Sequence, residues 1–180
     1  MRILIATPLY PPDIAPSAPY VKELALRLSK HHAVTVLAYG HIPEIIPDVS
    51  IITVSKRAPL PVRILRFAKA LLQNAHNADI LIIENGPSVE VPFLLTGPFV
   101  RRKKIFSISD IVAKAHAQDS FLHGATLSLA RHFAHETMGT DVFPLPRPEI
   151  HPFKQYPHEA FNTYEASWEK HRALIESHCV

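Results

Sequence analysis

Short apolar runs alternate along this chain with stretches whose apolar residues recur every three or four positions. That alternation is the mark of β-strands in a parallel sheet joined by helices. RILIA, at 2–6, reads as a first strand, and its unbroken apolar character suits burial on both faces. Val21, Leu24, Ala25 and Leu28 then form a helical stripe, capped by Ser17, with Pro19 in the first turn and Lys30, His31 and His32 at the end. AVTVLAY (33–39) and SIITVS (50–55) read as strands two and three, across a proline-rich connection at 40–48. PVRILRFAKALLQNAH follows as the second helix, with Val62, Leu65, Ala68 and Leu72 expected to face inward. DILIIE (79–84) reads as strand four, ending in the turn NGPS. A short helix at 89–99, the basic run 101–104 and a fifth strand, KIFSIS, come next. A helix over 122–138 and the segment TDVFPLPRP, a last strand and exit loop, complete the pattern. The predicted fold class is α/β, a single Rossmann-like parallel-sheet sandwich over 1–150.

The tail, 151–180, differs in kind. Phe161, Tyr164, Trp168, His171, Ile175 and His178 follow one another at steps of three and four, which is one stripe of a helix. Its aromatic members want a surface to cover, so the tail is expected to pack back on the main body; a helix that dimerises or stands free is the alternative.

Composition narrows the class. At 180 residues, with 47% hydrophobic and 19% charged positions, the chain suits one well-filled core. Cys179 is the single cysteine, which rules out an internal disulfide and fits a reducing compartment. No window reaches the ~18 consecutive apolar residues of a membrane span, so a cytoplasmic protein is expected. The net charge of +3 is ordinary. It permits contact with anionic lipid, and no nucleic-acid module is present. HFAHE (132–136) pairs two histidines on one helix face but matches no zinc signature, and no metal is expected.

The loop TPLYPPDIAPSAPYVKEL joins the first strand to the first helix with five prolines and no glycine. Together with the strand before it and VTVLAYG after it, this segment closely resembles the opening of glycosyltransferase family 4 enzymes, which have the two-domain GT-B architecture. ADILIIENGPS is similar to that family's fourth strand and turn, KKIFSISD to its fifth strand, and ASWEKHRALIE to its closing helix. The resemblance covers about the first 110 residues and implies an N-terminal, acceptor-binding domain with the closing helix retained. It also implies sugar transfer from a nucleotide sugar, as substrate and not cofactor, to a saccharide or lipid-linked acceptor. Two departures stand out. Ala15 and Pro16 replace the glycine pair that approaches the donor phosphates, which removes both unusual backbone angles and an exposed N–H. These 180 residues also leave no room for the nucleotide-sugar domain, so a donor-binding partner chain or a homodimer is expected to complete the cleft.

The candidate residues cluster at the carboxyl ends of strands one, four and five, where open α/β sheets bind ligands. Asp13, Ala15, Pro16, Ser17 and Tyr20 belong to the first loop and helix start; Asp13 and Ser17 either bind a ligand or simply cap the turn and helix. Glu84, Asn85, Gly86 and Ser88 follow strand four, where Asn85 can bond an acceptor hydroxyl and Gly86 can adopt a left-handed conformation. Ser109 and Asp110 end strand five, with His116 shortly after; Asp110 or His116 could take the acceptor's proton, although a capping role for Asp110 is equally natural. Arg63, Arg66 and Lys69, with Lys56 and Arg57 upstream, offer a basic flank that would suit peripheral membrane contact or merely face solvent. Two other readings stay open: a non-catalytic module that binds a carbohydrate or a protein, and an unrelated small α/β enzyme using Asp110 or His116.

Overall fold

The computed structural model describes residues 1–13, 17–138 and 169–178. Two compact units divide the chain, 1–138 and 139–180. The first is a six-stranded sheet in the order β3-β2-β1-β4-β5-β6. Its strands are β1 (Arg2–Thr7), β2 (Ala33–Tyr39), β3 (Val49–Val54), β4 (Ile80–Glu84), β5 (Lys103–Ser107) and β6 (Glu136–Met138), and every neighbouring pair is parallel. The helices are α1 (Ser17–Ser29), α2 (Leu60–Ala75), α3 (Pro87–Thr96), α4 (Ile111–Asp119) and α5 (Phe121–Phe133), with a 3₁₀ turn at Gly97–Phe99. The α/β, Rossmann-like architecture expected from the sequence is the one observed. In the second unit, 169–177 is helical, and Arg172 pairs with Glu169 at 2.7 Å. Phe161, Tyr164 and Trp168 lie outside the described residues, as does TDVFPLPRP. Among the described residues no helix is long and apolar enough to cross a membrane.

Strand alternation sorts the core. Leu4, Ala6, Leu37, Leu81, Ile83 and Phe106 point to one face, where they join Phe67 and Leu71 of α2, Val89 and Phe93 of α3 and Ala130 of α5 in one buried cluster. Ile3, Ile5, Val36, Ile82 and Ile105 point the other way and are equally buried. α1 covers that second face with Val21, Leu24, Ala25 and Leu28, the stripe expected of it.

Two expectations are corrected. The buried stripe of α2 is Phe67, Ala68, Leu71 and Ala75, while Val62 and Leu65 are exposed and Leu72 is half-buried. Apolar residues occupy so much of this helix that two faces could have turned inward; the one carrying Phe67 wins because its ring stacks on Tyr39 at 4.5 Å. The helix expected over 122–138 ends at Phe133, and Glu136–Met138 is strand β6. β5 would otherwise present an open edge of unpaired amides. His135 donates its backbone N–H to the Lys104 carbonyl at 2.8 Å, and Ile105↔Glu136 to Ser107↔Met138 then pair in register.

The corrected α2 face sets an expectation. Phe67→Ala should cost about 3–5 kcal/mol in chemical denaturation, because it empties a fully buried site. Leu65→Ala should change stability by no more than about 0.5 kcal/mol. Equal costs would mean that the helix presents a different face.

Candidate functional site

β1 and β4 are neighbours, yet the chain leaves β1 for α1 and β2 on one side and leaves β4 for α3 and β5 on the other. The two loops therefore part at the carboxyl edge, and such a switch point is where this kind of sheet receives ligands. What fills it here is a buried layer of polar side chains.

Glu84 is the last residue of β4 and lies directly opposite Ser107 of β5 in the register. Alternation turns both toward the α1 face, where Tyr20 of α1 is also buried. Glu84 is fully buried, and its Oε2 accepts a hydrogen bond from the Ser109 hydroxyl. Among the described residues its Oε1 has no well-formed partner. Burial pushes the Glu84 carboxyl up to about 7; the hydroxyls of Ser109 and Ser107 draw it back, and the nearby Asp110 charge adds to the rise. Burial likewise raises Tyr20 far above the ordinary phenol value, with the Glu84 charge second and the Ser107 hydroxyl opposing.

Asn85 and Asp110 lock the two loops together. The Asp110 backbone N–H donates to Asn85 Oδ1 at 2.7 Å, and Asn85 Nδ2 donates to the Asp110 carbonyl at 2.8 Å. The side-chain amide thus continues the β4–β5 ladder beyond its last backbone pair, in which Asn85 N–H donates to the Ser107 carbonyl at 2.8 Å. Asp110 is the N-cap of α4: its Oδ1 accepts from the Ala113 N–H at 3.0 Å. Its Oδ2 accepts a long bond, 3.4 Å, from the Ser17 hydroxyl at the start of α1. Ser17, Asn85 and Asp110 therefore tie the start of α1 and the ends of β4 and β5 into one buried unit.

Gly86 has φ of +142°, and a Cβ there would meet Pro8 Cγ at 2.9 Å, so the β4 loop lies hard against the β1 loop. Its N–H donates to Glu90 Oε1 at 2.9 Å, while Thr126 of α5 donates to Glu90 Oε2 at 2.9 Å. A carboxylate of the chain itself thus occupies this helix start. Ser88 contributes its backbone carbonyl, which accepts from the Tyr39 hydroxyl at 2.9 Å. Asp13 closes its own turn by accepting from the Tyr10 N–H at 3.3 Å and forms an ion pair with Lys56 at 2.7 Å. His116 is exposed on the last turn of α4. Ala15 and Pro16 lie outside the described residues.

The structure thus brings together Ser17, Tyr20, Glu84, Asn85, Gly86, Ser109 and Asp110, and leaves Asp13, Ser88 and His116 out of that buried layer. Sequence reasoning missed Ser107 and Glu90. Ser107 was legible as a polar residue between the apolar Phe106 and Ile108, but only the register shows it opposite Glu84. In the HFAHE segment, His135 Nδ1 accepts the Lys104 backbone N–H at 3.1 Å and serves the sheet edge. Among the described residues no group of three acidic, histidine or cysteine side chains could hold a metal ion. Two open hollows lie elsewhere, one beside α5 and β6 around Arg131 and Thr137, and one at the amino edge around Phe99 and Arg102.

The class this defines is a Rossmann-like domain of GT-B-like fold. A structure described as a UDP-N-acetylglucosamine 2-epimerase from Listeria monocytogenes matches with a TM-score of 0.55 at 15% identity, over 77% of this chain and 39% of that one. HepE of Anabaena, in complex with UDP and glucose, matches with a TM-score of 0.51 at 20% identity, over 76% of this chain and 37% of that one. The chain therefore spans well under half the length of either protein, about one domain, and the likeness is one of fold. No protein-family profile and no curated protein sequence matches it.

The raised Glu84 pKa has a direct consequence for stability. Below about pH 4.5 the carboxyl is protonated in both folded and unfolded chains. Between that value and about 7 the unfolded chain releases its proton while the fold retains it, so stability falls as pH rises and then levels off. The full loss is roughly 3 kcal/mol. Glu84→Gln keeps the shape and cannot ionise. Its stability relative to the parent should therefore improve steadily from about pH 5 to about pH 8 in thermal melts. Parallel profiles for the two proteins would mean that Glu84 is ionised in the fold throughout.

Proposed function

We propose that this chain is the acceptor-side half of a GT-B glycosyltransferase of the family 4 kind. In this reading it takes part in transfer of a sugar from a nucleotide sugar to a hydroxyl of a saccharide or lipid-linked acceptor. The observation that carries the reading is the buried layer of Ser17, Tyr20, Glu84, Ser107, Ser109 and Asp110 at the carboxyl edge of β1, β4 and β5. Parallel strands covered on both faces are apolar by default, and polar side chains concentrated at one edge favour a ligand there. The fold's likeness to one domain of two proteins whose names or bound ligands are UDP and sugar compounds points the same way. In this reading a donor-binding partner chain or a second copy supplies the nucleotide-sugar side of the cleft, and the helix at 169–177 is the counterpart of the family's closing helix. Asn85 and Ser109 would orient the acceptor and Asp110 would hold its hydroxyl.

A second reading, a non-catalytic module that binds a carbohydrate or a partner protein, is favoured by one specific feature. Both Asp110 carboxyl oxygens already accept hydrogen bonds from the chain itself, which suits a cap better than a base. Thermal unfolding against UDP, GDP, their sugars and a panel of saccharide acceptors separates the readings. A ligand at ~100 times its dissociation constant adds about 2.7 kcal/mol, several degrees for a domain of this size. The acceptor-half reading expects a shift with a saccharide and none with a free nucleotide, and loss of that shift in Asp110→Asn. Asparagine caps a helix as well as aspartate does, so the unliganded melt should stay in place. A shift with UDP or GDP alone would instead mean a surviving donor site. No shift with any compound would leave the partner-binding module.

A further inference from the structure

We propose that β3 is the interface of a homodimer, in which the β3 strands of two copies pair antiparallel and the two sheets run on as one. The sheet ends differently at its two edges. β6 is 3 residues long and carries Glu136, and shortness and charge are what keep an edge strand from seeking a partner. β3 lacks such protection. Its VSIITV run is β-branched but for Ser50, holds no proline or charge, and keeps an unbroken register with β2 from Val49 to Val54. Among the described residues nothing pairs with its outer side.

The hydrogen-bonding groups of that outer side follow from one contact. The Gly40 N–H donates to the Val54 carbonyl at 3.1 Å, and Val54 lies opposite Tyr39, so Val54 turns its backbone toward β2. Backbone direction alternates along a strand. Ser50 and Ile52 therefore also face β2, while Ile51 and Thr53 aim their N–H and C=O groups outward. Two antiparallel registers join such outward groups and keep the overlap centred: Ile51 opposite its own copy, or Ile51 opposite Thr53.

Charge chooses between them. The second register sets Asp48 opposite Lys56 of the other copy at both ends of the overlap, whereas the first sets Asp48 opposite Val54 and Lys56 opposite Ile46. Asp48 and Lys56 are both exposed. Lys56 already holds Asp13 at 2.7 Å, and an ammonium has donors enough for a second carboxylate. In this register each Ile51–Thr53 pair exchanges both its backbone bonds, and Ile52 meets its own copy on the two-fold axis. A second copy is the occupant because the strand complements itself, with its acid at one end and its base at the other.

The other copy's strands run the opposite way, so its carboxyl edge faces the opposite side. This dimer leaves both buried polar layers clear and cannot close a cleft over either. The donor side of the sugar-transfer reading would then fall to a different chain, although the pairing itself does not rest on that reading.

Sedimentation equilibrium of the full chain tests it. A monomer–dimer equilibrium is expected, and Thr53→Pro should abolish it by removing an outward N–H that β2 does not use. Melts of that variant at dilute concentration should match the parent, which is the control for folding. Asp48→Asn suits the left-handed backbone there, at φ of +59°, and removes the charge. It should raise the dimer dissociation constant about threefold, a difference that added salt erases. In a Cys179→Ser background, Ile52→Cys should form a disulfide between copies under mild oxidation. Ser50→Cys, about 14 Å from its own copy in this register, should not. The cysteine pair decides alone if Thr53→Pro does not fold. A chain that is monomeric at every concentration, a dimer that Thr53→Pro leaves intact, or Ser50→Cys linking as readily as Ile52→Cys overturns the proposal.

Discussion

Between Ile3↔Ile80 and Ala6↔Ile83, β1 and β4 run side by side and in parallel, and the chain departs from them toward opposite edges of the sheet. Both strands are central, so their backbones are consumed by neighbours and their faces by packing. Polar chemistry has one place left in such an arrangement, the carboxyl ends where the loops part. That is where Thr7, Ser17, Glu84, Asn85, Ser107, Ser109 and Asp110 are found, all of them buried. The same constraint accounts for Gly86: the two loops meet so closely that a side chain there would strike Pro8.

Burying this much polarity is costly unless it is satisfied internally, and the layer is built to do that. Asn85 supplies both a donor and an acceptor to the Asp110 backbone, Asp110 caps α4 and reaches Ser17, and Ser109 reaches Glu84. Glu84 is the member with one carboxyl oxygen that lacks a well-formed partner among the described residues, and burial raises its carboxyl to about 7. A carboxyl in that condition either costs stability without return or waits for a ligand group to complete it. Its position opposite Ser107, at the edge where this architecture binds ligands, gives weight to the second.

The strands were legible because burial on both faces writes itself as an unbroken apolar run, as in RILIA and DILIIE. The carboxyl-edge residues were legible for a related reason: they follow those runs directly. What could not be read was anything settled by tertiary competition. In α2 the sequence allows two apolar faces, and Tyr39 on another element chooses Phe67 over Leu65. In the 134–138 segment local propensity favours helix, but the open edge of β5 recruits Glu136–Met138 as a strand. Ser107 was hidden because its importance lies in being opposite Glu84, a fact of register and not of spacing.

The face that α2 did not bury is itself informative. A helix that could pack by either side and leaves Val62 and Leu65 in water forgoes the apolar area those side chains would have hidden. Placing lysine and arginine among them prevents that face from seeking the core and keeps it soluble.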